Sequence, residues 1–474
     1  MQNYSLLTDL YQLTMAYGYW KTGLKDHETV FHLFFRKHPF QGGYTLACGL
    51  QPALDLIRHF SFKEDDLAYL STLKGNDGKP LFDSGFLEYL GKLENTLTVY
   101  GIPEGTVVFP HEPLLRLQGP IILCQLLETP LLNILNFQTL IATKASRIAH
   151  VAQGESVLEF GLRRAQGVDG GLAASRAAYI GGCAATSNVL AGKMYGIPVR
   201  GTHAHSWVMS FPTEQEAFEA YAQAMPNNCV FLVDTYDTLE GVKNAIGVGK
   251  KLREEGHEMV GIRLDSGDLA TLSIEARKLL DEAGFPAANI VASNDLDEYE
   301  MKTLKEKGSR INVWGVGTRL VTAYDQPALG GVYKLAAIRK PGENWSYKVK
   351  LSEQAIKVSN PGILQVRRFR TNNHYTGDII FHEEWEPARC RFEAFSGQQM
   401  DIQADHYEDL LVPVWENGKQ VYHSPDIHTI REHRKKSLEL FEEKILTPSE
   451  PSVYPTGLEP RLQEYKLELM RTVH

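Results

Sequence analysis

The middle of the chain repeats one pattern of hydrophobic and polar positions, in which a short apolar run ends in polar residues and an amphipathic stretch follows. Continuous apolar runs of this length are typical of buried parallel strands, and the amphipathic stretches are typical of helices. The runs with their polar ends are VFLVDTYD (230–237), MVGIRLDSGD (259–268), NIVASNDLD (289–297) and INVWGVGTRL (311–320). This alternation predicts an α/β fold, either a TIM-like barrel or a doubly wound sheet.

The two ends of the chain follow other patterns. Residues 6–20, LLTDLYQLTMAYGYW, predict an N-terminal helix, and residues 29–128 predict mainly short strands separated by proline and glycine. Residues 345–393 alternate polar and apolar positions as strands do, and the charged stretch 427–444 predicts a solvated helix. We therefore expect β-rich segments on both sides of the α/β part.

Composition places the chain among ordinary globular proteins. It has 474 residues, of which 43% are hydrophobic and 23% are charged, and it is long enough for two or three domains. The net charge of -9 argues against a general nucleic-acid-binding protein, which needs a concentrated basic face. The most apolar stretch, residues 120–142, is interrupted by polar residues, so it predicts an interior helix and not a membrane span.

Cysteine usage and the first residues predict a cytoplasmic protein. The cysteines lack CxxC spacing and are odd in number, which argues against a zinc site or a disulfide scaffold and favours reduced thiols. The stretch MQNYSLLTDLYQLT has neither the basic start nor the continuous apolar core of a signal peptide. The cysteines are Cys48, Cys124, Cys183, Cys229 and Cys390.

Two histidines follow a further apolar run, in the stretch VRGTHAHSW (199–207). Their position matters because both α/β architectures place their sites at the carboxyl ends of the strands. His203 and His205 are compatible with the metal site of a barrel hydrolase, with hydrogen bonding inside a loop, or with a nucleophile that accepts a phosphoryl group. The later strand ends carry aspartate, asparagine, glycine and threonine instead of histidine, which argues against the hydrolase.

Charged residues cluster at the ends of two later strands. The stretch RLDSGD brings Arg263 beside Asp265 and Asp268, and SNDLDE adds Asn294 and Asp295. A cluster of this kind is often a salt-bridged loop, but carboxylates at strand ends also bind ribose hydroxyls or a Mg²⁺ ion attached to phosphates. The position at the end of a predicted parallel strand favours the second interpretation.

Two further stretches are suited to anions. Gly315, Gly317 and Thr318 form a glycine–hydroxyl turn after the last predicted strand, where barrels commonly bind phosphate. Arg163 and Arg164 follow another predicted strand, either as an exposed basic pair or as groups that capture phosphate or carboxylate. Neither a GxGxxG nor a GxxxxGK[ST] motif is present, so the sequence indicates neither a dinucleotide fold nor a P-loop.

Several of these stretches, in this order along the chain, resemble the nicotinate phosphoribosyltransferase family. The resemblance extends from residue 5 to the region of residue 335 and is much weaker beyond residue 340. The motifs that carry it are LLTDLYQLTMAYGYW, FGLRRAQGVDGG, TSNVLAG, GTHAHSWVMSF, GIRLDSGDL, SNDLDE, GVGTRLVT and GGVYKL.

The resemblance implies an enzyme of NAD salvage. Such enzymes convert nicotinate and phosphoribosyl pyrophosphate into nicotinate mononucleotide and pyrophosphate with Mg²⁺, and couple the reaction to ATP hydrolysis through a phosphorylated histidine. By the GTxAHS motif that histidine is His205, and not His203. The resemblance also implies a homodimer with shared active sites.

The same resemblance implies an irregular TIM-like α/β barrel with a β-rich α+β domain built from N- and C-terminal segments. The implied domains are an N-terminal β-rich domain at 1–128, to which 340–400 returns, a catalytic barrel at 129–339, and a C-terminal helical extension at 401–474. These boundaries follow the family architecture and not a break in the composition of the chain.

The resemblance also assigns roles to individual residues. Tyr11, contributed by the other subunit, and Phe160 would enclose the pyridine ring, and Arg263 would bind its carboxylate. The implied catalytic residues are His205, Asp265 and Arg263. The other assignments are Thr202 and Ser206 near nicotinate, Asp265 and Asp268 for ribose and Mg²⁺, Arg163 for pyrophosphate, and Asn294, Asp295, Gly315, Gly317 and Thr318 for the phosphoribosyl group.

Three other functions stay open at this point. Nicotinamide phosphoribosyltransferases carry an acidic residue beside the substrate amide, whereas the corresponding stretch GGCAATSNVLAG is neutral, which favours nicotinate. That stretch departs from the family pattern at residues 183–185, where a bulkier or acidic residue is expected. A metal-dependent barrel hydrolase and a catalytically silent nucleotide sensor are the more remote alternatives.

Overall fold

The computed structural model describes residues 4–354, 357–385, 387, 391–402 and 406–472. These residues form two compact units. The first comprises the described residues within Met1–Leu140, Ala328–Leu446 and Glu450–His474, and the second those within Ile141–Pro327 and Thr447–Ser449.

Helices and strands are distributed over both units. The helices are α1 Leu10–Lys21, α2 Leu50–His59, α3 Glu64–Thr72, α4 Ser84–Gly91, α5 Ile121–Leu126, α6 Glu128–Ala152, α7 Gly167–Gly181, α8 Val189–Tyr195, α9 His205–Met209, α10 Glu214–Ala224, α11 Thr238–Glu254, α12 Leu269–Glu282, α13 Glu298–Glu306, α14 Thr318–Val321, α15 Ile427–Glu439, α16 Glu443–Leu446 and α17 Pro460–Thr472. The strands are β1 Glu28–Phe34, β2 Thr45–Leu46, β3 Thr98–Gly101, β4 Val107–Val108, β5 Leu115–Pro120, β6 Ser156–Glu159, β7 Ala185–Thr186, β8 Val230–Leu232, β9 Gly261–Leu264, β10 Asn289–Ala292, β11 Val313–Val316, β12 Val332–Arg339, β13 Ser346–Tyr347, β14 Leu364–Thr371, β15 His374–His382, β16 Arg391–Glu393, β17 Gln399–Asp401, β18 His406–Asp409, β19 Val412–Glu416, β20 Lys419–Gln420 and β21 Thr456–Leu458.

The second unit contains a six-stranded sheet in the order β7-β6-β11-β10-β9-β8, and its strand pairs are all parallel. Its strands are short and largely buried, which is why each is a continuous apolar run in the sequence. The four predicted runs are confirmed as β8 to β11, and α11, α12 and α13 alternate with them. The predicted mixed α/β class is therefore confirmed.

The predicted barrel does not close in the part of the chain that the structure describes. Strands β7 and β8 lie at opposite edges of the sheet, and no described strand pair joins them. The apolar run at 197–199, expected as a strand, contributes only an isolated parallel bridge between Thr186 and Val199. The physical reason is that the stretch between β7 and β8 folds mainly into α8, α9 and α10. The sheet therefore stays open.

The largest sheet of the first unit joins strands that are far apart in sequence. Its order is β13-β12-β1-β5-β3-β19-β20, and β1 pairs antiparallel with both β5 and β12. A second sheet has the order β18-β14-β15-β21. The stretch 401–474, expected as a helical extension, contains β18 to β21 beside α15, α16 and α17. The domain boundaries given above remain predictions.

Two further expectations concern the apolar stretch 120–142 and the state of the cysteines. Within the described ranges, no helix is long and apolar enough to cross a membrane. The stretch 120–142 forms α5 and part of α6. The cysteines that the structure describes are buried thiols, and Cys390 lies outside the described residues.

A buried ion-pair network lies inside the second unit. Lys144 Nζ is 2.8 Å from Glu298 Oε2, and Arg147 Nε donates a hydrogen bond to Glu298 Oε1 at 2.8 Å. All three side chains are fully buried. Lys144 Nζ also contacts Oδ2 of the partly exposed Asp325 at 2.5 Å. Two cations therefore pair with two carboxylates, one of which, Glu298, has lost its contact with water.

Replacing Lys144 with methionine is expected to lower the free energy of unfolding of this unit by about 3 kcal/mol, because removing one partner of a buried pair leaves uncompensated charge. Urea denaturation followed by the fluorescence of the buried Trp314 measures the change. Lys302→Met is the control, since Lys302 is half exposed and 3.9 Å from Glu306, and its loss should stay below about 0.5 kcal/mol. Equal losses of unfolding free energy in the two variants would show that the buried ion pairs of Lys144 do not stabilise this unit.

Candidate active site

The carboxyl ends of the parallel strands bring together side chains from distant parts of the chain, with Arg263 of β9 at the centre. Its Nε donates a hydrogen bond to Ser293 Oγ at 2.9 Å, its Nη1 to Thr202 Oγ1 at 3.1 Å, and its Nη2 to Asp265 Oδ1 at 3.1 Å. Only 16% of the side chain is exposed. These contacts use three of the five N–H groups of the guanidinium, so it is fixed in orientation and retains donors for an anion.

Phe160, directly after β6, forms an aromatic wall beside Arg263. The centre of its ring lies 5.9 Å from Cζ of Arg263. The ring rests on Gly315 of β11, where a Cβ atom would lie only 2.8 Å from the ring, well inside van der Waals contact. The ring and the guanidinium group therefore form one side of a site suited to a flat anion.

Asp265 is the second charged group at the end of β9. Burial raises its pKa, but the hydrogen bond from Ser293 and the adjacent Arg263 lower it by more, so the pKa of Asp265 lies below its ordinary value. Asp234 holds the loop: its Oδ2 accepts hydrogen bonds from the backbone N–H of Asp265 at 2.9 Å and from Ser266 Oγ at 2.6 Å. Asp265 is therefore ionised at neutral pH and fixed in position.

His205 is the first residue of α9 and lies beside Asp265. Its Nδ1 is 3.1 Å from Thr235 Oγ1, and its Nε2 is 3.6 Å from Asp265 Oδ2. About 40% of the side chain is exposed. The imidazole is thus oriented by a hydroxyl and a carboxylate and remains accessible, as a nucleophile must be.

His203, two residues earlier, has the opposite environment. Its ring packs against Phe218 and Tyr221, and its Nε2 accepts a hydrogen bond from the backbone N–H of Leu232 at 3.3 Å. Burial lowers the pKa of His203 to about 4, so its imidazole is neutral at physiological pH. Among the residues that the structure describes, no group of three or more metal-binding side chains converges. The two histidines therefore differ in environment, since the His203 ring is buried among aromatic side chains and the His205 ring is accessible.

Glu159, the last residue of β6, is a buried positioning residue that sequence reasoning missed. Its carboxylate accepts hydrogen bonds from the backbone N–H of Gly161 at 2.5 Å, from Ser175 Oγ at 2.9 Å and from Thr186 Oγ1 at 2.6 Å. These contacts fix the loop that carries Phe160. The sequence does not indicate this role, because the side-chain partners Ser175 and Thr186 lie 16 and 27 residues from Glu159 along the chain.

Asp268, Asn294 and Asp295 line a polar pocket of about 230 Å³. The carboxylate of Asp268 accepts a hydrogen bond from Thr271 Oγ1 at 2.7 Å, and this bond lowers the pKa of Asp268. Asn294 and Asp295 have φ angles of 111° and 45°, values that residues other than glycine rarely adopt, and such strain is typical of functional loops. The other lining residues are Gly267, Leu269, Glu300, Leu304, Lys307 and Arg319.

The predicted glycine–hydroxyl turn leads into α14. Gly317 directly precedes Thr318, the first residue of that helix. The opposite loop also requires a glycine, because a Cβ at Gly161 would lie 2.3 Å from Val321 and 2.9 Å from the carbonyl oxygen of Gly317. Two strand ends therefore meet backbone to backbone here, an arrangement that also lets backbone approach a ligand closely.

The remaining predicted residues are exposed. Ser206 lies in α9, and Arg163 lies in the 3₁₀ turn Leu162–Arg164. Tyr11 lies in α1 of the first unit, with 49% of the residue exposed. The predicted residues that the structure brings together around one centre are Phe160, Thr202, His205, Arg263 and Asp265.

Three family profiles match the chain. The N-terminal domain of nicotinate phosphoribosyltransferase matches residues 6–136, the nicotinate phosphoribosyltransferase family matches residues 156–359, and the C-terminal domain of nicotinate phosphoribosyltransferase matches residues 365–466. Together they account for most of the chain.

Similar proteins carry the same family name. Nicotinate phosphoribosyltransferase of Bacillus subtilis is 44% identical over 477 residues, covering 99% of this chain and 96% of the relative. The Caenorhabditis elegans enzyme is 37% identical over 498 residues, covering 91% and 87%. The human enzyme is 39% identical over 413 residues, covering 75% of each chain.

Solved structures extend the similarity to the fold. The crystal structure of human nicotinic acid phosphoribosyltransferase matches with a TM-score of 0.85 at 33% identity, covering 98% of this chain and 99% of the human chain. Nicotinate-nucleotide pyrophosphorylase from Pyrococcus furiosus, with a TM-score of 0.68 at 21% identity over 92% and 96% of the two chains, is similar in fold alone. With this coverage and identity, the chain belongs to the nicotinate phosphoribosyltransferase family.

Proposed function

We propose that this protein transfers the phosphoribosyl group of phosphoribosyl pyrophosphate to the ring nitrogen of nicotinate and releases pyrophosphate. The observation that carries the proposal is the guanidinium group of Arg263 beside the ring of Phe160. A planar guanidinium binds a carboxylate through two parallel hydrogen bonds, and an aromatic ring orients a pyridine by stacking. Family membership supports the same reaction.

The residues around Arg263 support chemistry at the sugar carbon. Loss of pyrophosphate from the donor gives the sugar oxocarbenium-like positive charge, which nearby carboxylates stabilise. Asp265, whose pKa is lowered by Ser293 and Arg263, is suited to that role, and Asp268 and Asp295 provide further carboxylates after β9 and β10. Holding the weakly nucleophilic ring nitrogen against this carbon removes much of the entropic barrier.

The donor set fits Mg²⁺ as an ion shared with the substrate. Mg²⁺ usually keeps several waters and takes one or two carboxylates plus phosphate oxygens, and Asp265 and Asp268 are two carboxylates of the loop between β9 and α12. Asp265 and Asp268 would hold the ion, Arg163 would bind pyrophosphate, and Gly317 and Thr318 would bind the 5′-phosphate. When bound, the ion neutralises charge on the leaving pyrophosphate.

We assign the coupling to ATP to His205. Its imidazole nitrogen forms a bond to the γ-phosphorus of ATP while the bond to the β-γ bridging oxygen breaks, and ADP leaves. Water later cleaves the phosphorus–nitrogen bond and releases phosphate. A phosphoryl group next to Asp265 adds negative charge to the site, which gives hydrolysis a means to change the affinity for substrates.

Replacing Thr235 with valine is expected to reduce ATP-stimulated turnover about tenfold and to leave turnover without ATP within about twofold, because valine keeps the volume but loses the hydrogen bond to His205. Rates of nicotinate mononucleotide formation with and without ATP measure the effect. Thr303→Val, which removes an exposed hydroxyl from α13, should change neither rate. If both variants behave alike, Thr235 does not orient His205.

The experiment that tests the main proposal compares two bases. The purified protein is incubated with phosphoribosyl pyrophosphate, Mg²⁺ and either nicotinate or nicotinamide, with and without ATP, and mononucleotides and ADP are separated by chromatography. We expect nicotinate mononucleotide, formed faster with ATP, and loss of the product when a chelator removes Mg²⁺. Product from nicotinamide alone would make nicotinamide the substrate, and the absence of product from either base would refute phosphoribosyl transfer.

We further propose a cytoplasmic homodimer in which Tyr11 of one copy completes the active site of the other. The half-exposed position of Tyr11 on α1 supports this role. Mixing two inactive variants, Tyr11→Ala and Arg263→Gln, should restore about a quarter of wild-type activity, because half of the dimers are mixed and each holds one intact shared site. A mixture that is no more active than its components, or a monomer by light scattering, would contradict the shared site.

A further inference from the structure

A buried polar cluster in the first unit brings two carboxyl groups together. Glu112, in the loop between β4 and β5, and Asp378, in β15, are completely buried, and their side chains are in hydrogen-bonding contact. Arg368 of β14 is buried beside them. We propose that Glu112 and Asp378 share one proton, which Glu112 carries, and that this proton links the N-terminal part of the unit to the part that begins at residue 328.

The hydrogen bonds to Asp378 identify it as the ionised member of the pair. Arg368 Nε donates a hydrogen bond to its Oδ1 at 3.0 Å, Arg368 Nη2 donates one to its Oδ2 at 2.5 Å, and the hydroxyl of Tyr454 donates one to its Oδ1 at 2.9 Å. An ionised carboxylate accepts hydrogen bonds at both oxygens and has no proton to donate. Asp378 therefore carries the charge that compensates Arg368.

The environment of Glu112 differs, because one of its oxygens lacks a donor. Its Oε2 accepts a hydrogen bond from the backbone N–H of Phe109 at 2.8 Å. Its Oε1 is buried, and no donor among the residues that the structure describes reaches it. An ionised Glu112 would therefore hold an unsatisfied negative oxygen beside a second carboxylate and away from water. A proton on Oε1 removes this charge and supplies the hydrogen bond to Asp378.

The electrostatic environment favours the same assignment. Burial and the charge of Asp378 raise the pKa of Glu112 well above its ordinary value, and the opposing effects of Arg368 and of the Phe109 N–H group are smaller. With Glu112 protonated, Arg368 and Asp378 form one compensated ion pair. Ionisation of Glu112 would add an uncompensated carboxylate to this buried pair, which is costly where water cannot solvate it.

The other titratable groups around the cluster keep their charge as the pH rises above neutral. Burial raises the pKa values of Tyr375 and Tyr454, so both phenols stay neutral, and burial lowers the pKa of His433, so its imidazole is already neutral. Glu408 accepts a hydrogen bond from the Tyr375 hydroxyl at 2.7 Å and is exposed to water. Glu112 is therefore the group of this cluster that loses a proton as the pH rises.

The shared proton lies where two sheets of the unit meet. Glu112 precedes β5 of the seven-stranded sheet, and Asp378 belongs to the four-stranded sheet. The ring of Phe109 stacks on that of Tyr454 with the centres 4.2 Å apart, and its centre lies 5.6 Å from Cζ of Arg368. Loss of the proton would separate the loop before β5 from the hairpin of β14 and β15. We therefore expect the stability of the unit to fall as the pH rises.

Urea denaturation of the full-length protein over a range of pH values tests the proposal. The folded protein keeps a proton on Glu112 that the unfolded chain releases near the ordinary pKa of glutamate, so each pH unit above that value raises the unfolding constant about tenfold. Glu112→Gln has no such proton, and its amide can still hydrogen-bond to both Asp378 and the Phe109 N–H group. The unfolding constant of the wild type relative to that of Glu112→Gln should therefore rise about tenfold per pH unit until Glu112 ionises in the folded protein. Glu94→Gln, at an exposed position of the same unit, should change this dependence by less than about twofold.

Infrared spectroscopy provides a second measurement that does not depend on unfolding. At neutral pH the wild type should show the C=O stretching band of a protonated carboxyl group, and Glu112→Gln should lack it. Asp378→Asn should lack the band as well, because Glu112 can then ionise and pair with Arg368.

Three results would overturn the proposal. They are a ratio of unfolding constants that does not change with pH, a wild-type spectrum without the band, and a band that survives in the variants. If Glu112→Gln does not fold, the spectra of the wild type and of Asp378→Asn decide the question. These measurements need no turnover, so their outcome is independent of the proposed reaction.

Discussion

Replacing Arg263 with glutamine is expected to lower kcat/KM for nicotinate by about three orders of magnitude. Truncating one partner of a buried charge pair costs about 4 kcal/mol, which corresponds to roughly a thousandfold. Glutamine retains a hydrogen-bonding amide but loses both the charge and the planar fork that match a carboxylate. Initial rates of nicotinate mononucleotide formation over a range of nicotinate concentrations give the value.

Two comparisons separate carboxylate binding from structural damage. Arg263→Lys keeps the charge without the fork, so its kcat/KM should lie between those of the glutamine variant and the wild type. Arg253→Gln removes a guanidinium from an exposed ion pair with Glu258 and should leave kcat/KM unchanged. If KM for phosphoribosyl pyrophosphate rises as much as KM for nicotinate, Arg263 does not act on the carboxylate.

In a protein with His205 replaced by asparagine, ATP is expected to lose its stimulating effect completely. The amide can still hydrogen-bond to Thr235, but it cannot accept a phosphoryl group, so ADP formation should fall by about a thousandfold or more. Turnover without ATP should stay within about threefold, because His205 takes no part in breaking the bond at the sugar carbon. Product and ADP are measured in the same reaction, and intact-protein mass spectrometry detects the phosphoryl group.

A partly exposed histidine provides the matched control. His257 lies outside the site, where its Nδ1 contacts Asn227 Oδ1 at 2.8 Å, and His257→Asn should keep both the stimulation by ATP and the phosphorylated form. The assignment of His205 fails if His205→Asn still responds to ATP. It also fails if the phosphoryl group is found on another residue of the wild-type protein.

The centre of the site was predictable because part of its chemistry is local in the sequence. Arg263 and Asp265 are two residues apart, so one strand and its loop suffice to bring them together. Asp234 and Thr235 were not predicted, because their partners Asp265 and His205 lie 31 and 30 residues away. Asp234 meets Asp265 through the pairing of β8 with β9, and Thr235 meets the first residue of α9. The position of a carboxylate at the end of a strand does not predict which group it will bind by a hydrogen bond.

The two histidines show a second limit of prediction from the sequence. His203 and His205 are the same residue type in one motif, yet the first is buried and neutral and the second is accessible. The difference arises because α9 begins at His205, and a five-residue helix cannot be located from so short a stretch. The resemblance to a family distinguished the two histidines, and the local pattern did not.

The hydrophobic pattern did not predict long-range pairing, and only the resemblance to the family implied that residues 340–400 return to the N-terminal domain. The alternation of strand and helix predicted β8 to β11, but it carried no information on whether the sheet closes. In the first unit, Glu28 pairs with Arg339, 311 residues later in the chain. Hydrophobic periodicity reports which face of an element is buried, and not against which partner.

The contact between Phe160 and Gly315 has a consequence for altering the substrate range. Gly315, which has no side chain, determines how closely the ring of Phe160 can approach strand β11. A larger residue at Gly315 would push the Phe160 ring away from β11 and narrow the space beside the ring in which we propose that nicotinate binds. No natural residue is smaller than glycine, so the space cannot be widened at this position. Substitution of Gly315 can therefore only exclude bases bulkier than nicotinate. Accommodating such bases requires changes at residues that face the Phe160 ring across the bound base.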